Sequence, residues 1–281
     1  MKLPAIVLAV VTGFVQASDP QAIQRMVATE RAFAASALEI GVRDAFLTYF
    51  ADDAVSIQAG ADGTKVTAVR AKDGLLQLTP PKLPLLTTLM WAPFTGHVSA
   101  DGSLGWLTGG YANLDVLTKE IKGKGAYFSV WKRHADGTWR VWLDEGIALP
   151  SVWQDASPFR VAPEPDAGTA GSPSETMDAA EQSVASGGAA WQARLSHEVR
   201  VHRDGVMPIV GRDAVTDWAR RDWQSVRYTV ATSRRAGSDD LGMTLGGYDA
   251  TPPQHGTWAR VWKRAPSGQW RIVFETSKGT K

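Results

Sequence analysis

Leu104-Gly105-Trp106-Leu107-Thr108-Gly109-Gly110-Tyr111 returns in looser form as Leu241-Gly242-Met243-Thr244-Leu245-Gly246-Gly247-Tyr248. Each copy then leads into the same closing pattern. The first is Gly125-Ala126-Tyr127-Phe128-Ser129-Val130-Trp131-Lys132-Arg133, followed by Gly137-Thr138-Trp139-Arg140-Val141. The second is Gly256-Thr257-Trp258-Ala259-Arg260-Val261-Trp262-Lys263-Arg264, followed by Gly268-Gln269-Trp270-Arg271-Ile272. From Gly125 to Val141 the copies keep one offset of 131 residues without a gap. A repeat of this length spans a small domain, not one unit of a solenoid. The chain is therefore expected to hold two versions of one domain.

Outward from these strands, each copy reads as helices first and strands after. Residues 21–38 carry Ile23, Met26, Val27, Phe33, Ala34, Ala37 and Leu38, the stripe of an amphipathic helix. Ser18 or Asp19 would cap it, Pro20 would start it and Gly41 would close it. Residues 43–50 predict a second short helix, 54–57 a strand, and 72–78 a third helix ending before Pro80-Pro81. Strands are expected at 86–91, 95–99, 104–111, 126–133 and 138–144, with hairpin turns at Asp101-Gly102 and Asp136-Gly137. In the second copy, Met177, Ala180, Val184 and Ala185 restore helical spacing. A strand at 197–202 and a helix at 211–221 follow, then strands at 226–233, 241–248, 257–264 and 269–276. Helices on one face of an antiparallel meander make an α+β layout. The paired glycines in each copy mark a bend or bulge, or else a close approach of a ligand to the backbone.

Met1-Lys2, the apolar run 3–15 and Val15-Gln16-Ala17 read as an export signal, too short to cross a bilayer. Residues 1–17 are thus expected to be a signal peptide cleaved near Ala17, and the mature protein to be periplasmic or secreted. With no Cys there is no disulfide framework and no lipid carried on a Cys. The sequence holds 30 Lys and Arg against 29 Asp and Glu, and loss of Lys2 balances the two. No basic stripe stands out, which argues against nucleic acid as a partner, and no later apolar run is long enough for a membrane anchor. Residues 156–175 hold Pro158, Pro163, Pro165 and Pro173 among Ala, Gly, Ser and Thr, a linker composition. The expected domains are then 18–155 and 176–281.

Glu30 falls on the apolar stripe of the first helix, and Glu181 holds the equivalent place in the second copy. A buried carboxylate needs a partner or shifts its pKa. Glu30 is therefore either a base or ligand anchor, or a structural acceptor for strand residues such as Arg133, Arg140 or a Tyr hydroxyl. Asp144, echoed by Glu275, reads as a salt-bridge or turn residue. His197-Glu198-Val199-Arg200-Val201-His202 is one residue too long for a zinc-binding His-Glu-x-x-His and lies on a strand, where the rings point apart. With His97, His134 and His255 isolated, no metal is expected, and with no phosphate-cradling or nucleotide-binding glycine motif, no cofactor. Twelve Trp supply large apolar bodies for cores or pockets. Trp131 and Trp139 recur in the second copy, so a role in the scaffold is expected. Trp91, Trp106 and Trp142 do not recur, which makes them candidates for a ligand pocket.

Glu30-Arg-Ala-Phe33, Ala45-Phe46, Phe50-Ala-Asp52-Asp53-Ala54-Val55, Trp91-Ala-Pro93, Gly109-Gly110-Tyr111, Tyr127-Phe-Ser-Val-Trp131-Lys132 and Asp144-Glu-Gly146 together resemble the nuclear-transport-factor-2-like superfamily. The likeness is to its SnoaL-like branch, in a bacterial subgroup known by a domain-of-unknown-function label. It covers nearly all of the first copy. The second copy replaces Asp52-Asp53 with His197-Glu198 and lacks the Trp-x-Pro element. The resemblance implies two cone-like domains, each a bent antiparallel sheet wrapped around its N-terminal helices, with a pocket between. It also implies that such domains pair through their sheets.

Relatives of the ketosteroid-isomerase kind use a carboxylate base and hydroxyl donors in one apolar cavity. By that likeness Glu30 or Asp53 would be the base, and Tyr49, Tyr111 or Tyr127 the donors, with Trp91, Trp106 and Trp142 beside them. Asp53 can equally serve a turn. The expected function is binding of a small apolar or aromatic ligand by the first domain. The alternatives are a carboxylate-driven isomerase, dehydratase or cyclase, and a non-catalytic module whose two domains pair with each other.

Overall fold

A computed structural model of the chain describes residues 21–59, 65–153, 158–167, 174–223, 225–251 and 254–279. The expected signal segment, the cap at Ser18 or Asp19, Pro20 and parts of the expected linker lie outside these residues.

The first half opens with helix α1 (Ala22–Ile40), whose buried positions Ala22, Met26, Val27, Glu30, Phe33 and Ala37 form one stripe. Gly41 ends it at φ 83°, a conformation that favours glycine. Then come α2 (Val42–Tyr49), β1 (Phe50–Ala59), β2 (Val66–Arg70) and α3 (Ala71–Gln77). The rest are strands: β3 (Thr87–Trp91), β4 (Thr95–Val98), β5 (Leu104–Asp115), β6 (Ile121–Arg133) and β7 (Trp139–Ala148). Within the expected linker, β8 (Arg160–Val161) docks on β4. The second half holds α4 (Met177–Ser183), α5 (Gly188–Arg194), β9 (Leu195–Arg203), β10 (Val206–Val210) and α6 (Arg212–Asp222). It ends with β11 (Ser225–Arg235), β12 (Leu241–Thr251), β13 (Gln254–Arg264) and β14 (Trp270–Gly279). No helix among the described residues is long and apolar enough to cross a membrane.

The result is a mixed α+β protein with two sheets. The first runs β2-β1-β7-β6-β5-β4-β8, with β3 also on β5, and the second runs β10-β9-β14-β13-β12-β11. The orders coincide when β3 and β4 together stand for β11. Neither sheet is wholly antiparallel, which corrects the sequence expectation: β1 runs parallel to β7, and β9 to β14. A parallel pair needs a long crossover, and the chain between β1 and β7 supplies it.

The repeated glycines sit opposite a bulge. Residues 92–94 face only Gly109 and Gly110, since Trp91 pairs with Tyr111 and Thr95 with Thr108. In the second sheet Ala231 is the extra residue opposite Gly246. A Cβ on Gly109 would stand 1.9 Å from the Ala92 carbonyl oxygen, and one on Gly246 would stand 1.8 Å from that of Thr229. The glycines therefore admit the bulged neighbouring strand.

Strand alternation divides most of the buried apolar residues among three large cores, with a small fourth cluster of Ala126, Ile147 and Leu149 beside Trp153. On one face of the first sheet, Trp131, Leu107 and Val141 pack against α1 and α2. On one face of the second, Trp258, Trp262 and Ile272 pack against α4, α5 and α6. The remaining faces meet each other. Leu104, Trp106, Phe128, Val130, Trp142 and Leu143 form one buried cluster with Leu241, Met243, Leu245, Ala259, Val261 and Phe274. Phe274 stacks on Phe128 at 4.5 Å and lies 5.1 Å from Trp106. Polar clamps rim this seam. The Asp240 carboxylate accepts the Ala100 N–H at 3.1 Å, and Asp101 accepts the Ser238 N–H at 3.0 Å.

Glu145 lies at the seam in a small cleft with Ile57, Thr257, Thr276 and Lys278. Burial raises its pKa from 4.5 to about 7 against the pull of Lys278. The folded state therefore holds this proton more tightly than the unfolded chain. Its contribution is full below the ordinary value of 4.5 and is lost as pH rises to about 7. Melting temperature should accordingly fall from pH 5 to pH 7.5, as calorimetry would show, and Glu145→Gln should flatten the fall. Phe274→Ala should cost about 3–5 kcal/mol in urea unfolding. Because the seam joins both sheets, wild-type unfolding should show one transition, and two separate transitions would contradict a shared core.

Candidate functional site

Between the helices and the first sheet lies a cavity of about 250 Å³, lined by Phe46, Leu89, Trp91, Tyr111, Tyr127, Asp144 and Gly146. Helix α2 supplies Phe46, β3 supplies Leu89 and Trp91, and β5, β6 and β7 supply the others. Strand alternation puts Tyr127 on the helix side, while its neighbour Phe128 enters the seam. Tyr111 lies flat across Gly125, where a Cβ would meet its ring at 2.3 Å. Gly146, paired with Tyr127, leaves the floor open. A larger open groove of about 690 Å³ runs along Leu38, Leu83, Leu85, Thr88, Met90 and Leu114. It takes the opposite face of β3 and touches neither Glu30 nor Asp144. The smaller cavity is the better candidate because buried polar groups converge on it.

Glu30 stands behind the cavity wall, fully buried. Its Oε1 accepts the Trp91 indole N–H at 2.6 Å. Its Oε2 accepts the Ser129 hydroxyl at 2.9 Å and the Trp131 indole N–H at 2.8 Å. Burial drives its pKa up, and the three donors offset only part of the rise. These donors replace the Arg or Tyr partners expected from sequence. Ser129 and Trp131 come from alternate positions of β6, and Trp91 comes from β3.

Asp144 is the second carboxyl of the site. Burial pushes its pKa well above the carboxylate range, and the nearby charges of Glu30 and Glu145 push it further. Among the described residues no hydrogen bond or ion pair to its side chain is seen. Among the described residues the buried Tyr127 hydroxyl has no hydrogen-bond partner, and burial likewise drives its pKa well up. None of the lining residues is basic. The cavity thus presents a carboxyl whose charged form burial disfavours and a phenol hydroxyl beside apolar walls.

Of the residues singled out from sequence, Trp91, Tyr111 and Tyr127 line the cavity and Glu30 backs it. The others stand elsewhere. Tyr49 stacks on Phe33 at 4.9 Å inside the helical core. Asp53 is half-exposed on the seam and forms ion pairs with Lys132 and Arg234. Partial burial works against its ionisation, but these two cations outweigh it and hold its carboxyl below the usual range. Asp52 pairs with Lys72 at 2.8 Å. Trp106 and Trp142 belong to the seam, where Trp106 meets Phe274 and Trp142 lies under the Arg234 guanidinium at 4.8 Å. They fill the seam between the sheets, where aromatic rings from both sheets pack together. Asp144, read as a turn or salt-bridge residue, is instead the open carboxyl. The gapless alignment of the copies already set Ser129 against Arg260, and that contrast was the signal for it.

In the second half the corresponding space is filled. Arg260 is fully buried. Its Nε donates to Glu275 at 2.7 Å and its Nη1 to Glu181 at 2.5 Å. The guanidinium lies 4.6 Å from the rings of both Tyr228 and Trp258. Glu181 also accepts the Thr244 hydroxyl at 2.6 Å and the Trp262 indole at 2.7 Å. Glu275 accepts the Trp191 indole at 2.9 Å. His197 is exposed and His202 buried on β9. Burial lowers the His202 pKa well below its ordinary value.

No family model matches the sequence, and no curated protein matches it either. Among solved structures, the chain is similar to a ketosteroid isomerase-like protein from Erwinia carotovora atroseptica SCRI1043. That match has 12% identity and a TM-score of 0.29, and covers 33% of this chain and 80% of the other. It is similar to nuclear transport factor 2 from Cryptosporidium parvum, with 10% identity, a TM-score of 0.27, and 32% and 77% coverage. A third is a nuclear-transport-factor-2-like protein of unknown function from Pseudomonas putida KT2440, with 15% identity, a TM-score of 0.27, and 32% and 70% coverage. Each likeness concerns about a third of the chain and carries nothing about its chemistry.

Glu30→Ala removes one acceptor from three buried donors and should cost about 3 kcal/mol or more. Asp53→Asn, on an exposed pair, should cost within about 1 kcal/mol. Urea unfolding of the two variants would check the contrast, and equal losses would contradict this division of roles.

Proposed function

We propose that the chain is an exported protein of two nuclear-transport-factor-2-like, SnoaL-like domains, paired through their sheets as an internal pseudo-dimer. In this reading each domain is a cone-like sheet around its own helices. The first binds a small ligand with an apolar or aromatic body, and the second keeps the scaffold without a working pocket. One observation carries the reading. Among the described residues, Asp144 and the Tyr127 hydroxyl share an open cavity and their side chains make no hydrogen bond, while the matching space of the second half is occupied by Arg260. Unpaired buried polar groups are costly, so they are retained where a ligand satisfies them.

The cavity is smaller than those that hold drug-sized molecules, which limits the ligand to about one ring with a polar head. Phe46, Leu89 and Trp91 would take the ring. A panel of small aromatic compounds should include members that raise the melting temperature of the whole protein. Saturation about a hundredfold above Kd stabilises by about 2.7 kcal/mol. Gly146→Leu would fill the cavity, since a Cβ there has only Tyr111 at 3.6 Å. This variant should fold and lose every such shift, and a shift that survived it would place binding elsewhere.

A second reading is supported by the same two groups. A carboxyl whose pKa burial raises, beside a phenol donor, is the pairing an enolising isomerase or dehydratase requires. Asp144 would then take the part first assigned to Glu30 or Asp53. Asp144→Asn should abolish turnover of an enolisable ketone while that ketone still binds. Retained turnover would end this reading.

A further inference from the structure

Arg260 and Ser129 occupy the same position of the two sheets. Ser129 pairs with Asp144 across β6 and β7, and Arg260 pairs with Glu275 across β13 and β14. Around them the surroundings correspond residue by residue. Trp131 donates to Glu30 as Trp262 donates to Glu181. Trp91 lies opposite Tyr111, and Tyr228 lies opposite Tyr248. Tyr127 stands where Trp258 stands. Each half therefore holds two neighbouring carboxyls among aromatic rings: Glu30 and Asp144 in the first, Glu181 and Glu275 in the second. In the second half a guanidinium bridges both carboxylates between the faces of Tyr228 and Trp258. In the first half the guanidinium is replaced by a hydroxyl and the cavity.

We propose that the first pocket binds an organic cation with a planar guanidinium or amidinium head, seated where the side chain of Arg260 lies in the second domain. The inference rests on the ligand-binding reading above and names the class of ligand. The head would donate to Asp144, whose side chain is one methylene shorter than that of Glu275 and leaves room for a free molecule. Its face would lie on Tyr127, since cations favour the faces of aromatic rings. Glu30, already accepting the Trp91 indole, would add its charge from behind without a direct bond. The apolar body would lie toward Phe46 and Leu89. A planar fork suits a carboxylate better than a point charge does, as the Arg260 geometry illustrates. Such a cation also removes the cost of two carboxyls sharing one dry site without a counter-charge.

The test is calorimetric titration of the full chain with phenylguanidine and with phenylurea, its neutral isostere. Phenylguanidine should bind at least about tenfold tighter, the equivalent of one charge-assisted contact. Asp144→Asn should erase the difference between them. Ser129→Arg should supply the guanidinium internally, abolish binding of both and raise the melting temperature. If it fails to fold, Asp144→Asn still decides. Equal or tighter binding of phenylurea would overturn the cation proposal and leave the ligand pocket standing. Binding of neither compound by wild type would overturn the cation proposal. Failure of the whole aromatic panel as well would overturn the pocket reading with it.

Discussion

A carboxylate buried on the first helix of each half is the constraint around which the rest is arranged. Glu30 and Glu181 are nearly or wholly inaccessible to water, and a buried charge is tolerated only when hydrogen-bonded. Both obtain an indole N–H from the long central strand, Trp131 or Trp262, and a hydroxyl, Ser129 or Thr244. The bond fixes the depth and rotation of the helix against the sheet. It explains why tryptophan is needed at that strand position: only a large apolar ring with one donor can both fill the core and satisfy the acid.

A second carboxyl on the last strand creates a problem with two solutions. Asp144 and Glu275 each face the first acid across a dry space, and two such charges disfavour each other. The second half resolves this internally through Arg260, held by both acids and by aromatic faces. Its charged form is favoured there despite complete burial. The first half has Ser129 at that point, and burial there raises the pKa of Asp144 beside an open cavity. One scaffold thus supports a sealed ion triad in one half and a receptive pocket in the other. The difference turns on one residue on a central strand.

The outer faces of the two sheets carry a different demand. Left in water, Trp106, Phe128 and Phe274 would form a large apolar patch, and the two sheets cover them mutually. The clamps at the rim set the register of one sheet on the other. Asp53 joins Lys132 to Arg234, and the carboxylates of Asp101 and Asp240 each accept a backbone N–H from the other half. Trp106 and Trp142, which do not recur in the second copy, belong to this seam.

Much of the frame is visible in the linear chain. Apolar spacing around Met26 and Phe33 marks α1, Gly41 its end, and Asp136-Gly137 the β6–β7 turn, since each depends on backbone chemistry within a few residues. The burial of Glu30 and Glu181 follows from the same spacing. Short or polar elements such as β2, β10, α5 and β8 left no comparable pattern, because their positions depend on pairing with distant strands. The parallel course of β1 beside β7 was hidden for the same reason. Trp91, Tyr111 and Tyr127, named as candidates from the repeat and the family likeness, line the cavity. Trp106 and Trp142 were not separable from them, because the face of the sheet opposite the helices shows its use only when a second sheet covers it. Asp144 and Ser129 mark the limit most sharply. Whether an acid at the end of a strand meets a cation, water or an empty cavity depends on side chains brought beside it from α1, α2, β3 and β6. Folding supplies those contacts, and local sequence does not encode them.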